Sequence, residues 1–232
     1  MIEEVEPRQR ALVRLAPTPR GEYLQVIIAN PSQAVFTFAC TRPAPRLGML
    51  DRFLVIAEKQ NIPALIVANK TDLVGMARAR ELFDRYLPLG YPVIYTSVET
   101  GQGIDALREW LTDRLSVFAG PSGAGKSSLL NAIEPGLGLA VREVSRSTHK
   151  GRHTTMVRQV FPLREGGYVA DTPGLKALAL YDIEPEELDG YFPELRERVA
   201  QCQFSNCTHQ HEPGCAVRAA VAEGQIHPER YA

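Results

Sequence analysis

The sequence predicts an α/β protein in which a parallel sheet is covered by helices on both faces. Stretches rich in β-branched and aromatic residues alternate with stretches whose apolar residues recur at helical spacing. The strand-like stretches are residues 33–39, 63–69, 91–97 and 116–120, and the helix-like stretches are 46–60, 77–87, 103–115 and 126–133. Strand–helix units repeated in this way return the chain to the same edge of the sheet, which favours parallel strands.

Two of the predicted helices carry an apolar stripe that would face the sheet. The stripes consist of Leu47, Leu50, Leu54 and Ala57 in the first helix and Ile104, Leu107, Leu111 and Leu115 in the second. Farther along, the strand-like stretches 155–163 and 166–174 are linked by Arg-Glu-Gly-Gly, which predicts a hairpin. From about residue 184 the pattern becomes helical, so a small helical module is expected to follow the sheet.

The composition is that of an ordinary globular protein and excludes several classes. Of the 232 residues, 44% are hydrophobic, and 26 basic against 27 acidic residues leave a net charge of −1. That balance excludes a broadly basic nucleic-acid binder, although not a local basic patch. The acidic start is unlike a signal peptide, and the apolar runs are too short to span a membrane. We therefore expect a cytoplasmic chain whose four cysteines are reduced or bound to a metal.

A glycine-rich loop between a strand and a helix predicts a phosphate site. It fits the pattern G-x-x-x-x-G-K-[ST], in which backbone N–H groups and a helix N-terminus converge on phosphate oxygens. The candidate ligands are Gly120, Pro121, Ser122, Gly123, Ala124, Gly125, Lys126, Ser127 and Ser128. Lys126 would reach the β- and γ-phosphates, and the Ser127 hydroxyl would bind Mg²⁺. The alternative is an ordinary glycine-rich turn with a solvated lysine.

A second candidate phosphate element, Asp-Thr-Pro-Gly at 171–174, ends a later strand-like stretch. Asp171 would contact the Mg²⁺ ion indirectly, and the backbone N–H of Gly174 would meet a γ-phosphate. Alone this tetrapeptide is a common turn. Its position at the end of a predicted strand, after the glycine-rich loop, supports the phosphate interpretation.

The stretch Asn69, Lys70, Thr71 and Asp72 predicts recognition of guanine. An Asp at its end would accept hydrogen bonds from N1–H and the exocyclic amine of guanine, which adenine lacks, so it disfavours ATP by roughly 10⁴-fold or more. Asn69 would hold neighbouring loops together, and the stem of Lys70 would pack along the base. The later segment 96–104, which contains Ser97, is similar to the loop whose backbone supports guanine O6.

The base motif therefore precedes the phosphate loop, the reverse of the order in ordinary small GTPases. A parallel α/β sheet presents its ligand-binding loops at the carboxyl ends of its strands, so the chain can be cut at one loop and rejoined at another without disturbing the site. This order predicts a circularly permuted P-loop GTPase domain. The segment that senses the γ-phosphate would then lead directly into the C-terminal module.

A cluster of cysteine and histidine near the C-terminus predicts a structural zinc site. Its spacing is C-x₄-C-x-H-x₅-C, formed by Cys202, Cys207, His209 and Cys215. Three thiolates and one imidazole are a typical closed tetrahedral zinc set, with no open position for catalysis. The alternatives are a disulfide with a spare thiol, or simple core cysteines. His211 is expected at the surface or beside the ligands, and Cys40 is expected to be a buried core thiol.

The combination resembles the bacterial ribosome small-subunit-dependent GTPase A family, RsgA, from about residue 30 to 228. The pieces that carry the resemblance are LDRFLVIAE, NKTDL, GPSGAGKSSLLN, KGRHTT, DTPG and CTHQHEPGCAVRAAV. It implies a factor, generally monomeric, that binds the small ribosomal subunit and its rRNA late in assembly. It also implies that the factor hydrolyses GTP there, under strong stimulation by the subunit, and then leaves.

The resemblance also implies a division into domains. We expect residues 1–30 to be the remnant of an N-terminal OB-type domain or a linker, residues 31–183 the permuted GTPase domain, and residues 184–232 the helical zinc module. The family usually carries a complete five-stranded barrel at the start and a further helix at the end. On this basis we expect a truncated or minimal form.

Position 175 holds leucine, where Ras-like enzymes place a glutamine that orients the attacking water. We hypothesise that His153 positions the water instead, because it lies beside the expected switch I threonines. The alternative is a solvated histidine or an rRNA contact. Either Thr154 or Thr155 would complete the Mg²⁺ shell, with Thr155 as the assigned ligand, and Lys126 would assist catalysis.

Two other functions remain open from the sequence. A GTP/GDP switch that docks a partner through the zinc module, with little turnover, is favoured by Leu175 and opposed by His153. A P-loop ATPase or kinase is disfavoured by Asp72. The expected switch I is also basic, as is the N-terminus, and both are candidate contacts for rRNA phosphates. These residues are Arg142, Arg146, Lys150 and Arg152 in switch I and Arg8, Arg10, Arg14 and Arg20 in the N-terminus.

Overall fold

The structure, a computed structural model, describes residues 5, 7–18, 21–139, 159–171 and 183–231. Its first element is an antiparallel hairpin of β1 (Ala11–Thr18) and β2 (Gly21–Ala29), to which the sequence analysis assigned no strands. The hairpin shifts register between Leu12 and Val13. Leu12 is fully buried, and Ile28 packs against the same core as the main sheet.

A six-stranded sheet forms the centre of the molecule and confirms the predicted fold class. Its strand order is β5-β4-β3-β6-β8-β7, and every neighbouring pair is parallel except β7 and β8. The strands are β3 (Gln33–Ala39), β4 (Ala64–Asn69), β5 (Val93–Thr96), β6 (Leu115–Ala119), β7 (Gln159–Pro162) and β8 (Tyr168–Asp171). The antiparallel pair β7–β8 is the predicted hairpin.

Four helices cover the two faces of this sheet. They are α1 (Leu47–Lys59), α2 (Met76–Phe83), α3 (Ile104–Leu111) and α4 (Lys126–Ile133). Alternate residues of β3 point to opposite faces, so Phe36 packs in the layer under α1 and α2, whereas Val35 packs in the layer under α3 and α4. Burying both faces in this way supplies a hydrophobic core on each side of the strands.

Two predicted helices end earlier than the sequence indicated. Helix α3 stops at Leu111 because Thr112 is extended and Asp113 is left-handed (φ 58°), so Leu115 begins β6 and does not complete the helical stripe. Helix α2 stops at Phe83, and a 3₁₀ helix, Asp84–Leu89, follows it. Pro88 lies inside that turn, where the missing N–H prevents an α-helix from continuing.

The residues that follow the sheet, 183–231, form what we call the C-terminal unit. It consists of a 3₁₀ helix, Pro185–Tyr191, followed by α5 (Pro193–Val199), α6 (Ala216–Ala222) and α7 (Pro228–Tyr231). Its buried cluster is small and contains Leu195, Cys215, Val217, Ala220 and Ile226. Among all the helices described, no one is both long and apolar enough to cross a membrane.

Candidate nucleotide site and metal cluster

The base and phosphate motifs, which are separated in the sequence, meet at the carboxyl edge of the sheet. Asn69 ends β4, and the glycine-rich loop leaves β6 directly after Ala119. Strand β3 lies between β4 and β6 and is parallel to both, so the loops at the ends of β4 and β6 emerge on the same side. Ser97 follows β5, on the other flank of β4. The order of the motifs along the chain is therefore irrelevant to the site.

Asn69 joins the base motif to the phosphate loop through hydrogen bonds of its own side chain. Its Nδ2 donates to the carbonyl oxygen of Ala124 over 2.9 Å, and its Oδ1 accepts from the Thr96 hydroxyl over 3.1 Å. The side chain is buried, so both bonds are shielded from water. Removing either partner would leave a buried polar group unsatisfied. Asn69 thus connects three loops at this edge of the sheet.

Lys70 adds a second connection between the same loops. Its Nζ donates to the carbonyl oxygens of Gly123 (2.7 Å) and Arg42 (2.5 Å). The backbone of Lys70 is left-handed (φ 62°). Partial burial lowers the pKa of Lys70, and the nearby charge of Asp72 opposes that shift. The two hydrogen bonds hold the ammonium group of Lys70 between the phosphate loop and the backbone of Arg42.

The side chain of Asp72 is held by a hydrogen bond from the segment 96–104, which the sequence predicts to lie beside the base. The hydroxyl of Ser97, a buried residue, donates to Asp72 Oδ1 over 2.6 Å, while Asp72 itself is exposed. The Thr71 hydroxyl lies 3.0 Å from Oε1 of Gln102, and the Gln102 carbonyl accepts from the Ser97 backbone N–H over 3.0 Å. Gln102 is a site residue that the sequence analysis missed, because no local pattern distinguishes it from an ordinary loop glutamine.

The phosphate loop approaches its neighbours so closely that two positions require glycine. A Cβ on Gly120 (φ 147°) would lie 2.1 Å from the carbonyl oxygen of Thr37. A Cβ on Gly125 (φ 94°) would lie 2.3 Å from Nδ2 of Asn69. Both positions also have the positive φ that glycine tolerates best. The loop can therefore sit against β3 and the base motif only with glycine at these two places.

Lys126 and Ser127 open α4, as the sequence predicts. Nζ of Lys126 donates to the carbonyl oxygens of Gly120 (2.8 Å) and Pro121 (3.0 Å), so the ammonium group lies over the loop. The side chain of Ser127 is partly buried in the first turn of the helix. These positions bring a cation, a hydroxyl and the N–H groups of a helix N-terminus to one place, which is the chemistry of an anion site.

The remaining predicted phosphate and catalytic residues are described only in part. Asp171 ends β8 and pairs in register with Phe118 of β6, so its backbone lies beside the strand that leads into the phosphate loop. Gly174 and the residues of the expected switch I lie outside the described residues. Those switch I residues are Arg142, Arg146, Lys150, Arg152, His153, Thr154 and Thr155, and Leu175 also lies outside the described residues.

The four predicted metal ligands come together in the C-terminal unit. One ligand atom from each of them lies within 4.8 Å of all the others: Cys202, Cys207, His209 and Cys215. The Nδ1 atom of His209 lies 3.4 Å from Sγ of Cys215 and 3.7 Å from Sγ of Cys202. A tetrahedral ion with bonds of about 2.0–2.3 Å needs ligand atoms roughly this far apart. The residues present therefore fit a tetrahedral metal ion.

A carboxylate that the sequence analysis missed orients the histidine of this cluster. Nε2 of His209 lies 2.9 Å from Oδ2 of Asp189, in the 3₁₀ helix Pro185–Tyr191. With Nε2–H donating to Asp189, the ring presents an unprotonated Nδ1 to the three sulfurs. Such carboxylate–histidine pairs fix the tautomer and orientation of metal-binding histidines. His211 is exposed. Cys40, far from the cluster in sequence, is buried as expected.

Comparison with known proteins agrees with this arrangement. The family model described as RsgA GTPase matches residues 5–181. The small ribosomal subunit biogenesis GTPase RsgA of Gemmatimonas aurantiaca is 47% identical over 99% of this chain and 75% of its own length. The protein of the same name from Moorella thermoacetica is 46% identical over 100% of this chain and 76% of its own length.

Two solved structures share the fold. The crystal structure of YjeQ from Thermotoga maritima matches with a TM-score of 0.78 and 39% identity, over 99% of this chain and 74% of that one. YloQ, a circularly permuted GTPase, matches with a TM-score of 0.72 and 34% identity, over 98% of this chain and 70% of that one. Together with the motif order and the sheet topology, these matches mean that the chain belongs to the RsgA GTPase family, whose GTPase fold is circularly permuted.

Proposed function

We propose that this protein hydrolyses GTP to GDP and phosphate as a late-stage assembly factor of the small ribosomal subunit. The observation that carries the proposal is the bonding of the base motif to the phosphate loop through Asn69 and Lys70, in a member of a GTPase family. Relatives at 46–47% identity are named small ribosomal subunit biogenesis GTPases. We infer that the chain acts as a monomer in the cytoplasm, with the small subunit and its rRNA as partners and turnover stimulated by the subunit.

Guanine selectivity would come from Asp72. One carboxylate oxygen of Asp72 accepts from the buried Ser97 hydroxyl, which holds the group in place. The carboxylate would accept the N1–H and the exocyclic amine of guanine, as the sequence analysis predicts. An adenine would face it with an unprotonated ring nitrogen and no amine, leaving the carboxylate unpaired, so roughly 10⁴-fold selection against ATP is expected.

The phosphates would be bound by the N–H groups of the glycine-rich loop and by Lys126. In the present geometry Nζ of Lys126 bonds two loop carbonyls, and phosphate oxygens would take over these bonds. Ser127 and Thr155, or Thr154 in its place, would hold the Mg²⁺ ion, while Asp171 would contact it indirectly and Gly174 would bind the γ-phosphate. Mg²⁺ would neutralise charge on the phosphates. His153 would position the attacking water.

Zinc is the metal that we assign to the C-terminal cluster. Three thiols and one imidazole in tetrahedral spacing suit Zn²⁺, and four protein ligands leave no position for a substrate. The ion would therefore be structural. We propose the same division into parts as the sequence suggests: an OB-like remnant or linker at residues 1–30, the GTPase domain at 31–183 and the zinc module at 184–232.

The function is tested by measuring GTP turnover with and without purified small ribosomal subunits, in Mg²⁺ buffer and with ATP as the competing nucleotide. We expect tight, GTP-selective binding and a large stimulation by the subunit. His153→Ala should lose roughly 10²-fold or more of the stimulated rate, whereas the control His227→Ala, in the exposed start of the last turn of the chain, should not. Full stimulated turnover by His153→Ala would reject its role.

A second function is a GTP/GDP-dependent binding switch with little turnover of its own. Leu175 favours it, because leucine cannot orient a water molecule. Under this alternative the zinc module would dock a partner in one nucleotide state and release it in the other, without stimulated hydrolysis. The turnover measurement separates the two functions, and preferential binding of ATP would reject both.

A further inference from the structure

Asn131 ends the stretch GPSGAGKSSLLN, has no role in the nucleotide site described above, and contacts the backbone with both edges of its side chain. Its Nδ2 donates to the carbonyl oxygen of Leu139 over 2.9 Å, and its Oδ1 accepts from the Leu139 N–H over 2.9 Å. A carboxamide has one donor and one acceptor edge arranged like those of a peptide group, so it can satisfy both backbone groups of one residue at once. The backbone of Leu139 is therefore fixed by a single side chain.

Asn131 and Leu139 lie next to two parts of the proposed nucleotide site: the phosphate loop and the expected switch I. Asn131 lies in α4, four positions after Ser127, and residues at this spacing lie on the same face of a helix. Leu139 is partly buried against the core layer under α3 and α4, and it directly precedes residues 140–158, which contain the expected switch I. One helix face thus carries both the proposed Mg²⁺ ligand and the side chain that holds the start of this segment.

The same helix also holds the chain on the far side of that segment. Glu134, a buried residue at the end of α4, accepts from the Arg164 backbone N–H over 3.0 Å and pairs with its guanidinium over 2.9 Å. Arg164 belongs to the turn between β7 and β8. The C-terminal end of α4 is itself held, because Arg108 donates to the carbonyl oxygen of Ile133. Helix α4 therefore bonds the chain both before and after residues 140–158.

We propose that Asn131 is a positioning residue for GTP hydrolysis, which fixes the point from which the switch I segment leaves relative to Ser127 and the phosphate loop. This inference rests on the proposed function, in which Thr154 or Thr155 completes the Mg²⁺ shell. The motifs that bind GDP precede Asn131 or lie in other loops. Asn131 should therefore affect the GTP- and Mg²⁺-dependent state and leave the GDP-bound state nearly unchanged.

The test compares three variants by equilibrium binding of fluorescent GDP and of a fluorescent non-hydrolysable GTP analogue, over a series of Mg²⁺ concentrations. Asn131→Ala removes both hydrogen bonds. Asn131→Asp keeps the size of the side chain but places a carboxylate oxygen against the Leu139 carbonyl. Asn30→Ala is the matched control, because Asn30 also binds backbone with both edges of its side chain: it donates to the Pro7 carbonyl and accepts from the Gln9 N–H, beside the open end of the N-terminal hairpin.

For both Asn131 variants we expect GDP affinity within roughly twofold of the parent and a several-fold loss for the GTP analogue, with a higher Mg²⁺ requirement. Small-subunit-stimulated turnover should fall by roughly 10- to 100-fold, the size expected from misplacing a catalytic segment by about 1 Å. Asn30→Ala should leave both nucleotide affinities and the Mg²⁺ requirement at the parent values. An equal loss for GDP and the GTP analogue, or no loss for either, would overturn the proposal. If the parent protein binds both nucleotides without turnover, hydrolysis itself is refuted, and the affinity ratio still decides the role of Asn131.

Discussion

The sheet buries apolar side chains on both faces, whereas the C-terminal unit buries a cluster of five residues, one of which is the metal ligand Cys215. The first arrangement is sustained by the hydrophobic effect, which grows with the apolar area removed from water. A unit as small as the second cannot bury enough area for that, and small domains of this kind depend on metals or on docking. The C-terminal unit contains a cluster of four side chains that could hold a metal ion, and it forms a polar junction with the sheet.

That junction is formed largely by α7, whose residues contact four different parts of the molecule. Glu229 pairs with Arg85 over 2.7 Å, next to the sheet. Arg230 pairs with Asp51 of α1 and with Glu194 of α5. The Tyr231 hydroxyl donates to the carbonyl oxygen of His209 over 2.6 Å, at the metal cluster. The helix therefore links the buried Asp51 of α1 to the predicted metal ligands.

Arg230 is the most deeply buried charge of this junction. Its guanidinium lies 5.4 Å from the ring centre of Tyr86 and 5.0 Å from that of Phe192. Burial alone lowers the pKa of Arg230, but the hydrogen bond that Arg230 donates to Glu194 and the charge of Asp51 outweigh it and raise the pKa above its ordinary value. The side chain of Arg230 is thus held as a cation between the carboxylates of Asp51 and Glu194, and none of these three charged groups is well solvated. The attachment of the C-terminal unit therefore depends on buried ion pairs, whereas the core of the sheet is built from apolar contacts.

The largest effect should come from removing the metal. A strong chelator should unfold the C-terminal unit, because structural zinc sites contribute about 10–16 kcal/mol of apparent binding free energy at neutral pH. Cys202, Cys207 and Cys215 should then react with a thiol reagent, while Cys40 stays protected in the sheet. Burial, with the charge of Asp72, raises the pKa of Cys40 to about 11, so it carries almost no thiolate at pH 8.

The measurement is a count of reactive thiols before chelation, after chelation and in denaturant, with GDP binding followed in parallel. Three thiols should appear on chelation, with GDP affinity retained, and the fourth only on denaturation. A Cys40→Ser variant provides the control, because it should give the same three thiols and no fourth. Simultaneous exposure of all four would mean that the sheet also depends on the metal, and the contrast between the two regions would be wrong.

A smaller effect is expected from Arg230→Met. The substitution leaves Asp51 and Glu194, both nearly buried, without a counter-charge, and breaking a buried pair in this way costs about 3–5 kcal/mol. Arg196→Met is the matched control. Its ion pair with Glu58 also crosses the junction, but the two side chains are 55% and 26% exposed, so about 1 kcal/mol at most is expected.

Urea-induced unfolding, followed by circular dichroism and by exposure of the cluster thiols, measures both variants of the junction. Adding Asp51→Asn to Arg230→Met should recover part of the loss, because it removes one of the uncompensated charges. Equal, small losses for Arg230→Met and Arg196→Met would show that water reaches the Arg230 site. The stability of the C-terminal unit would then depend less on buried ion pairs than we expect, and the contrast with the sheet would be weaker.

Much of the fold follows from local patterns, because the alternation of strands and helices can be recognised from neighbouring residues. That alternation implies parallel strands, whose carboxyl ends share one edge of the sheet. The N-terminal hairpin was not predicted, because the register shift between Leu12 and Val13 interrupts the two-residue alternation that is typical of a strand. Leu115 was placed on a helix because it continues the i, i+4 spacing from Leu111, and a buried strand start satisfies the same pattern.

The proximity of Cys202, Cys207, His209 and Cys215 could be predicted, because their spacing along the chain is short and three cysteines with a histidine are typical of a metal site. Their supporting contacts could not, because they are made between distant parts of the chain. Asp189 binds His209 from 20 residues away, and Asp51 meets Arg230 across 179 residues. An isolated aspartate has no local signature of such a partner. Asn131, by contrast, lies close to the phosphate loop in the sequence. Its contact with Leu139 could not be predicted, because only the folded chain brings the Leu139 backbone to the Asn131 side chain.

The smallest effect is expected from Tyr231→Phe, which tests whether the docking of the C-terminal unit and its metal are coupled. The change removes one hydroxyl that binds the carbonyl of His209, a residue with left-handed backbone (φ 63°), so about 0.5–1.5 kcal/mol should be lost. Metal release to a coloured chelator should then be up to roughly tenfold faster, whereas the control Tyr168→Phe, on the exposed side of β8, should release metal at the parent rate. If α7 couples the two, Arg230→Met should also accelerate release, although Arg230 contacts no metal ligand. Acceleration by Tyr231→Phe alone would mean that the metal and the junction stabilise the unit independently, and the small core of this region would then depend on two separate supports.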